Sequence, residues 1–472
     1  MSGARILVLD LGSSAAKAVL FDLDGGTLAQ AEAAYPTASP QPGWFEQSPD
    51  DWAAAAARAI GGLGSLAGVA LLALCGTMQN LLPMAADGRA LAPAMLYSDG
   101  RAVGRFAAFA AAMAAIGAAE RLGNSIEPLT TAAKLDWLRA ERPPVFAAAA
   151  TLHAGAKDVL AYYLTGVHAT DATAASTTGL MALATRDWDA AILDRLGIAR
   201  AALPAILPAE AVIGSVSAAA ARRFGLPAGL PVVNGSGDAG AATLGAGTAA
   251  PGAAHVHLGT TGWVARSVAA AWPRPARAIY TLAHPWPGQL IEIAPILSAG
   301  DAVAWAGAVL AADGDDPPPA TLPLFLPYLK GERGPFHDPQ VRGAFLGLDR
   351  SHGPAALRRA VKQGVALAIR HNIAALGGID SPLVALGGGA ADAAWLQTLA
   401  DISGFAVTAA AAPVAATALG AGMVGARAMG RAMTPPPPTR RFEPHGDHAA
   451  LYRRYVAASD MLRAFARQDV VA

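Results

Sequence analysis

The run Gly235 to Gly240, GSGDAG, constrains this chain more than any other stretch. It lies between the apolar run Leu230 to Val233 and an alanine-rich helical pattern, so it reads as a strand turning through glycine into a helix. The charged residue of that turn, Asp238, then stands at the helix N-terminus, where the helix dipole favours an ionised carboxylate. That makes Asp238 a candidate general base. The same letters satisfy the G-x-G-x-x-G pattern of dinucleotide-binding folds, in which an acidic residue about 20 positions on holds the ribose. No Asp or Glu occurs between Asp238 and Glu292, and a carboxylate inside the turn would repel the pyrophosphate. A dinucleotide site is therefore rejected.

Two other turns share a pattern. Ile6 to Leu9, a turn at Gly12 to Ser14 and Ala18 to Phe21 read as a hairpin. His255 to Leu258 lead likewise through Gly259, Thr260, Thr261 and Gly262 to Trp263 and Val264. Two such units, each with glycine and hydroxyls in the turn, predict two similar halves. Helical patterns such as Lys134 to Glu141 and Pro204 to Phe224 alternate with short apolar runs, which predicts an α/β architecture. A chain of 472 residues exceeds what one core usually serves, so two domains are expected, 1–248 and 249–472. They part at the glycine- and alanine-rich stretch Gly245 to Gly252, read as a hinge. The proline clusters Pro317 to Pro319 and Pro435 to Pro438 predict extended connections, and Ala449 to Ala466 a closing helix.

Charge narrows the partners. Lys plus Arg (35) equals Asp plus Glu (35) with no basic block, which argues against nucleic acid and against an anionic membrane, and for a small soluble ligand. Ala59 to Ala86 carries no charge and is long enough to span a bilayer, but Gly61, Gly62, Gly64, Gly68 and Gly76 interrupt it. It reads as a helix end, a turn and a buried strand. Asp10 ends the first apolar run too early for a signal-peptide core, and the single cysteine, Cys75, excludes a disulfide framework. A reducing, cytoplasmic setting is the expectation.

Asp10, Gly12, Ser13, Ser14 and Lys17 together suggest a phosphate cradle: backbone N–H groups and hydroxyls meet an anion, Lys17 supplies charge, and Asp10 can hold a hydrated Mg²⁺. The second hydroxyl-bearing turn, Gly259 to Gly262, could hold phosphate from the other side of a cleft, which puts Asp238 near the transferred group. Gly387, Gly388 and Gly389 end an apolar run and read either as bare backbone for a purine or as a plain strand-to-helix turn. Glu332 and Arg333 are expected to pair and fix their loop. His153, Lys157 and Asp158 either line a helix beside the ligand or form an exposed helix face. His255 and His257 face one side of a strand without a third ligand, so no metal site is expected there.

Collinear segments carry a resemblance. DLGSSAAKAVLFD at Asp10 to Asp22, PGWFEQSPDDW at Pro42 to Trp52, LYSDGRA at Leu96 to Ala102, KLDWL at Lys134 to Leu138, NGSGDAG at Asn234 to Gly240 and LGTTG at Leu258 to Gly262 run in order. PYLKGERGP at Pro327 to Pro335, RGAFLGL at Arg342 to Leu348, LGGGAADAAWLQTLADISG at Leu386 to Gly404 and ALGAG at Ala418 to Gly422 complete the series. In these the chain resembles the FGGY carbohydrate kinases, most closely the xylulokinase branch. The resemblance implies a two-domain, actin-like ATPase (ribonuclease H-like) α/β fold with a cleft between the lobes. It also implies ATP and Mg²⁺ as cofactors, a small sugar such as D-xylulose as substrate, and a homodimer as the assembly. Asp238 would be the catalytic base, with Asp10 and Asp238 holding the metal directly or through water. Asp10, Gly12, Ser13, Ser14, Lys17, Gly259, Thr260, Thr261, Gly300, Gly388 and Gly389 would bind ATP, and Met78, Gln79, Asp99 and Asp238 the sugar.

The departures fall at the sugar. Met78-Gln79 stands where xylulokinases typically carry Met-His, Ala239 where they place Asn, and Tyr97-Ser98-Asp99 where they have Trp-Asn-Asp. Ala239 cannot replace an amide's donor and acceptor, so a kinase of another pentulose, polyol or aldonate is one alternative. A non-catalytic actin-fold chaperone or filament protein is the other, against which the segments Met78 to Asn80 and Tyr97 to Arg101 stand.

Overall fold

Strand β1 (Arg5–Leu11) buries Ile6 to Leu9 and pairs antiparallel with β2 (Ala15–Asp22), which pairs antiparallel with β3 (Thr27–Ala34). The computed structural model describes residues 3–272, 279–310 and 321–468. Strands β4 (Val69–Gly76), β5 (Val212–Ser215) and β6 (Pro231–Gly237) complete a six-stranded sheet in the order β5-β6-β4-β1-β2-β3, with β4 parallel to both β1 and β6. A second sheet of seven strands is built from β7 (Ala254–Leu258), β8 (Gly262–Ala269), β9 (Tyr280–Ala283), β10 (Gln289–Ile296), β11 (Leu383–Leu386), β12 (Val407–Ala409) and β13 (Arg440–Phe442). Its order is β9-β10-β8-β7-β11-β12-β13, so β10-β8-β7-β11-β12 repeats the pattern β3-β2-β1-β4-β6. The two similar halves read from the turns are present as a duplicated topology.

Helices α1 (Pro49–Gly61), α2 (Thr131–Glu141), α3 (Ala156–Thr165) and α4 (Asp238–Gly245) belong to the first half of the chain. Helices α5 (Gly300–Val309), α6 (Pro354–Leu376), α7 (Ala393–Ser403), α8 (Ala416–Ala428) and α9 (Ala449–Gln468) follow. Ser48 caps α1 by accepting from the Asp50 N–H, and Pro49 opens it, which is the residue order a helix start favours. α1 and α6 occupy equivalent crossovers, after β3 and after β10.

Helices α4 and α8 lie between the two sheets. Ala241, Leu244, Ala418, Ala421 and Val424 pack on Ile6, Val8, Cys75 and Val233 of the first sheet, while Ala242, Ala246 and Ala416 pack against Leu386 of the second. Their axes approach closely because Gly245 and Gly420 lack side chains: a Cβ on Gly245 would collide with Ala416 O, and one on Gly420 with Ala241 O. Gly245, the first residue of the stretch read as a hinge, is thus a packing position at the α4–α8 crossing.

Pro204 to Phe224 is not one helix. Ala205–Leu207 and Val212–Ser215 are strands, and only Ala218–Phe224, capped by Ser217, is helical. Alanine hides the difference in apolar periodicity, whereas Pro208 and Gly214 break the segment. Helix Ala449–Gln468 and the helix, turn and strand across Ala59 to Ala86 match expectation. Pro317 to Pro319 lie outside the described residues. No helix among the described residues is long and apolar enough to cross a membrane.

Candidate active site

Asp10, next to last in β1, lies directly across from Lys17 on β2 and, on the other side, level with Cys75 on β4, which is itself level with Ser236 on β6. Sheet register thus brings Asp10 and the end of β6 to one edge. Burial raises the Asp10 carboxyl above its usual range, partly offset by the Lys17 charge and a hydrogen bond with Cys75. One oxygen, Oδ1, is buried without a hydrogen-bond partner among the described residues. Lys17 is also 3.6 Å from Glu32 on β3. In the adjoining turn Gly12 N–H donates to Ala15 O at 3.0 Å and Gln47 Nε2 donates to Ser13 O at 2.8 Å, leaving Ser13 and Ser14 exposed.

Strand β6 reaches this edge through a bulge at Gly235, whose φ is 77° and where a Cβ would strike Leu74 O. Asp238 follows as the first residue of α4, partly exposed, with its Oδ1 accepting the Ala239 N–H at 2.8 Å. Burial and the charge of Asp10 push its carboxyl up to about 7, with Asp171 adding to the rise against the Ala239 hydrogen bond. The expectation that the helix dipole keeps this acid strongly ionised is overturned. The partial charge of this eight-residue helix cannot outweigh desolvation plus two nearby carboxylates. The result is a group poised near neutrality, as a general base requires.

Asp171 lies behind Asp238. Its Oδ2 accepts the Gly237 N–H at 3.2 Å and sits 3.0 Å from Lys157 Nζ, which is 2.7 Å from Asp158 Oδ1. Burial works against the Lys157 charge, yet Asp158 and Asp171 outweigh it and hold the ammonium above the usual lysine range. His153, Lys157 and Asp158 are all buried, so the exposed-face reading of these residues is wrong. His153 ends a strand, Thr151–His153, while Lys157 and Asp158 lie on α3, where α-helical periodicity in an alanine-rich chain does not separate inner from outer faces.

Met78 packs against Gly237, where a Cβ would collide with its sulfur. Gln79 adopts a left-handed conformation, φ 62°, shared among non-glycine described residues only by Arg186. Its carbonyl accepts Lys134 Nζ at 2.8 Å. Tyr97 adjoins the same centre: burial raises its phenol above the usual range, the Asp238 charge adds to the rise, and a hydrogen bond with Ser13 opposes it. Asp99 is different. It is fully buried, its Oδ1 accepting from Arg101 N and Nε and its Oδ2 from Phe45 N and Arg101 Nη2, at 2.7 to 3.0 Å. All its acceptor capacity is engaged, so the expected direct sugar contact gives way to a role in fixing the Tyr97 loop. Arg101 in turn stacks 4.0 Å over Trp44 and bonds Glu46 at 2.7 Å.

Across the cleft, Thr260 and Thr261 are exposed at the turn between β7 and β8. Gly300 N–H donates to Gly259 O at 2.8 Å and Asp301 N–H to Thr260 O at 3.0 Å, so the start of α5 supports that turn. Gly387 and Gly389 press on Leu258 and Gly259, while a Cβ at Gly388 would meet nothing within 4 Å. The turn, Gly300 and the three glycines are thus brought together. His257 stacks on Trp263 at 4.1 Å, and His255 Nδ1 bonds Thr248 Oγ1 at 3.0 Å. Glu332 and Arg333 do not pair with each other. Glu332 Oε1 accepts the Leu297 and Arg333 N–H groups, and Arg333 reaches back to Glu127 of the first half at 2.6 Å. Among the described residues no cluster of three or more His, Cys, Asp or Glu could hold a metal by itself.

Residues 5–245 match the FGGY family of carbohydrate kinases, N-terminal domain, and residues 233–429 its C-terminal domain. The chain belongs to that family and is a carbohydrate kinase of the two-domain, actin-like fold. It is 32% identical over 411 residues to the xylulose kinase of Escherichia coli and 33% over 410 to that of Klebsiella pneumoniae, covering 84% of both chains in each case. A crystal structure reported as a xyloylose kinase from Brucella ovis superposes with a TM-score of 0.90 at 31% identity, covering 98% of this chain and 100% of that one. Kinases of this family use ATP.

Proposed function

We propose that this kinase transfers the γ-phosphoryl group of ATP to a primary hydroxyl of D-xylulose, giving D-xylulose 5-phosphate. Asp238 takes the hydroxyl proton as the new O–P bond forms and the bond from the γ-phosphorus to its bridging oxygen breaks, releasing ADP. The observation that carries this reading is the position of Asp238. It has a carboxyl near pKa 7, stands beside Met78 and Tyr97, and shares one sheet edge with Asp10. The relatives' names supply the sugar. Ser13, Ser14, Thr260 and Thr261 would meet phosphate oxygens from the two sides, with Lys17 adding positive charge, and Gly388 would face the nucleoside.

The residues fit Mg²⁺. Asp10 offers an unpartnered buried oxygen and its charge couples to that of Asp238, an arrangement that a cation relieves. Two carboxylates with water and phosphate suit the hydrated octahedral ion. Bound there, Mg²⁺ would neutralise phosphate charge.

A second reading rests on Ala239, which packs with Met78, Trp263, Leu282 and Ile291 in an apolar wall. Such a wall leaves a sugar hydroxyl unpaired and favours another pentulose or a polyol. A coupled ADP-release assay over pentuloses, polyols and aldonates decides between the two. D-xylulose is expected to give the highest kcat/KM, and Asp238→Ala to bind ATP while losing sugar phosphorylation. Turnover of that variant above roughly a hundredth of wild type rules out the base.

A further inference from the structure

A fully buried lysine with no acidic side chain in contact is expensive to keep, and Lys134 is one. Among the described residues its ammonium makes a single hydrogen bond, to the carbonyl of Gln79 at 2.8 Å, and no ion pair. Thr131, three residues earlier and therefore on the same face of α2, donates its hydroxyl to the next carbonyl, Asn80 O, at 2.9 Å. The first turn of α2 thus grips two successive carbonyls of the segment between Met78 and Leu81. Asn80 is tied down further: its N–H donates to Ala154 O at 2.9 Å, its Nδ2 to Thr77 Oγ1 at 3.2 Å, and its Oδ1 accepts the Tyr97 N–H at 3.0 Å.

Gln79 needs such a grip. A side chain at φ 62° is strained, and glycine or asparagine takes that conformation more readily. The neighbouring Met78 abuts Gly237, one residue before Asp238, so the direction of this turn decides where the segment meets the base. Lys134 itself is closed off from solvent and cannot touch a sugar directly. Burial pulls its ammonium down to about 7, with Asp99 opposing and Arg101 and Arg333 reinforcing, so its charge gives no stability that would explain its presence.

We propose that Lys134 is a positioning residue for the sugar: it clamps the carbonyl of Gln79 in the left-handed turn that presents Met78 and Gln79 to the substrate. The inference rests on residues 78 and 79 facing the sugar.

The test is kinetic, with D-xylulose and ATP as probes. Lys134→Met keeps the buried stem and removes the donor. The expected result is a sugar KM raised roughly tenfold to a hundredfold, with the ATP KM within about twofold and kcat little changed. Gln79→Gly relieves the backbone strain, so Lys134→Met added to that background should raise the sugar KM by less than about threefold, a coupling that a merely structural lysine would not produce. Lys134→Gln, which retains a neutral donor, should restore most of the affinity. An unchanged sugar KM in Lys134→Met while Gln79→Ala raises it overturns the role of Lys134. An unchanged sugar KM in both variants instead overturns the placement of the sugar at residues 78 and 79. Equal rises in the sugar and ATP KM, or failure of both Lys134 variants to fold by thermal melting, assign the lysine to stability and defeat the proposal.

Discussion

The carboxylate of Asp171 accepts the backbone N–H of Gly237 at 3.2 Å, immediately before Asp238, and the same oxygen lies 3.0 Å from Lys157. One buried acid therefore holds the turn that carries the proposed base and also raises the pKa of Asp238. Asp171→Asn removes a negative charge near Asp238 and leaves Lys157 less neutralised. Both changes lower the pKa of Asp238, so the acid limb of kcat/KM should move to lower pH. Depriving a buried lysine of one partner should also destabilise the fold by about 3 kcal/mol. A pH–rate profile and a denaturant melt measure the two effects, and an unmoved acid limb contradicts the coupling.

The Asp238 carboxyl, raised to about 7, would as the proposed base set the pH response of the enzyme itself. The base must be ionised, so kcat/KM should fall as pH drops below about 7. Stability runs the other way. The unfolded chain loses this proton near pH 4 and the native chain near 7, so the native state holds more protons across that window and stability declines as pH rises through it. Asp238→Asn should therefore raise the Tm of the metal- and nucleotide-free protein more at pH 8 than at pH 4. Equal gains at both values contradict the raised pKa.

Asp10 has an unpartnered buried oxygen and a charge that acts on Asp238. Asp10→Asn should raise the Mg²⁺ concentration needed for half-maximal activity by roughly tenfold or more. The acid limb of the profile should shift to lower pH at the same time. A Mg²⁺ titration with unchanged midpoint removes Asp10 from the metal site.

At the crossing of α4 and α8 a methyl group has no room. Gly420→Ala forces backbone apart at Ala241 O and should destabilise the protein by about 2 kcal/mol. Because this helix pair packs on both sheets, the same change should alter kcat, which the ADP-release assay reads alongside a melting curve. Wild-type stability in that variant contradicts the tight crossing.

Much of the fold was legible in local pattern. Ile6 to Leu9 and His255 to Leu258 announced their strands because each apolar run ends in glycine and hydroxyl residues, and the repeat of that unit announced the duplicated halves. Pro204 to Phe224 misled because alanine fits strand and helix alike. At the site, Asp238 stood out as the acid of a glycine turn, whereas Asp99 looked like a ligand until Arg101 and Phe45 were found to occupy its oxygens. The burial of Lys134 and Lys157 could not be read from the sequence, since a charged residue in a helical pattern ordinarily faces water.

By itself the sequence determined where the strands, the glycine- and hydroxyl-bearing turns and the candidate base lie along the chain, because those depend on residues a few positions apart. Only tertiary structure decided that Asp238 titrates near 7, that Arg333 pairs with Glu127, and that Lys134 is sealed beneath Gln79. Each of these is set by desolvation and by charges contributed from distant segments. Electrostatic energy follows separation in space, to which order along the chain is no guide.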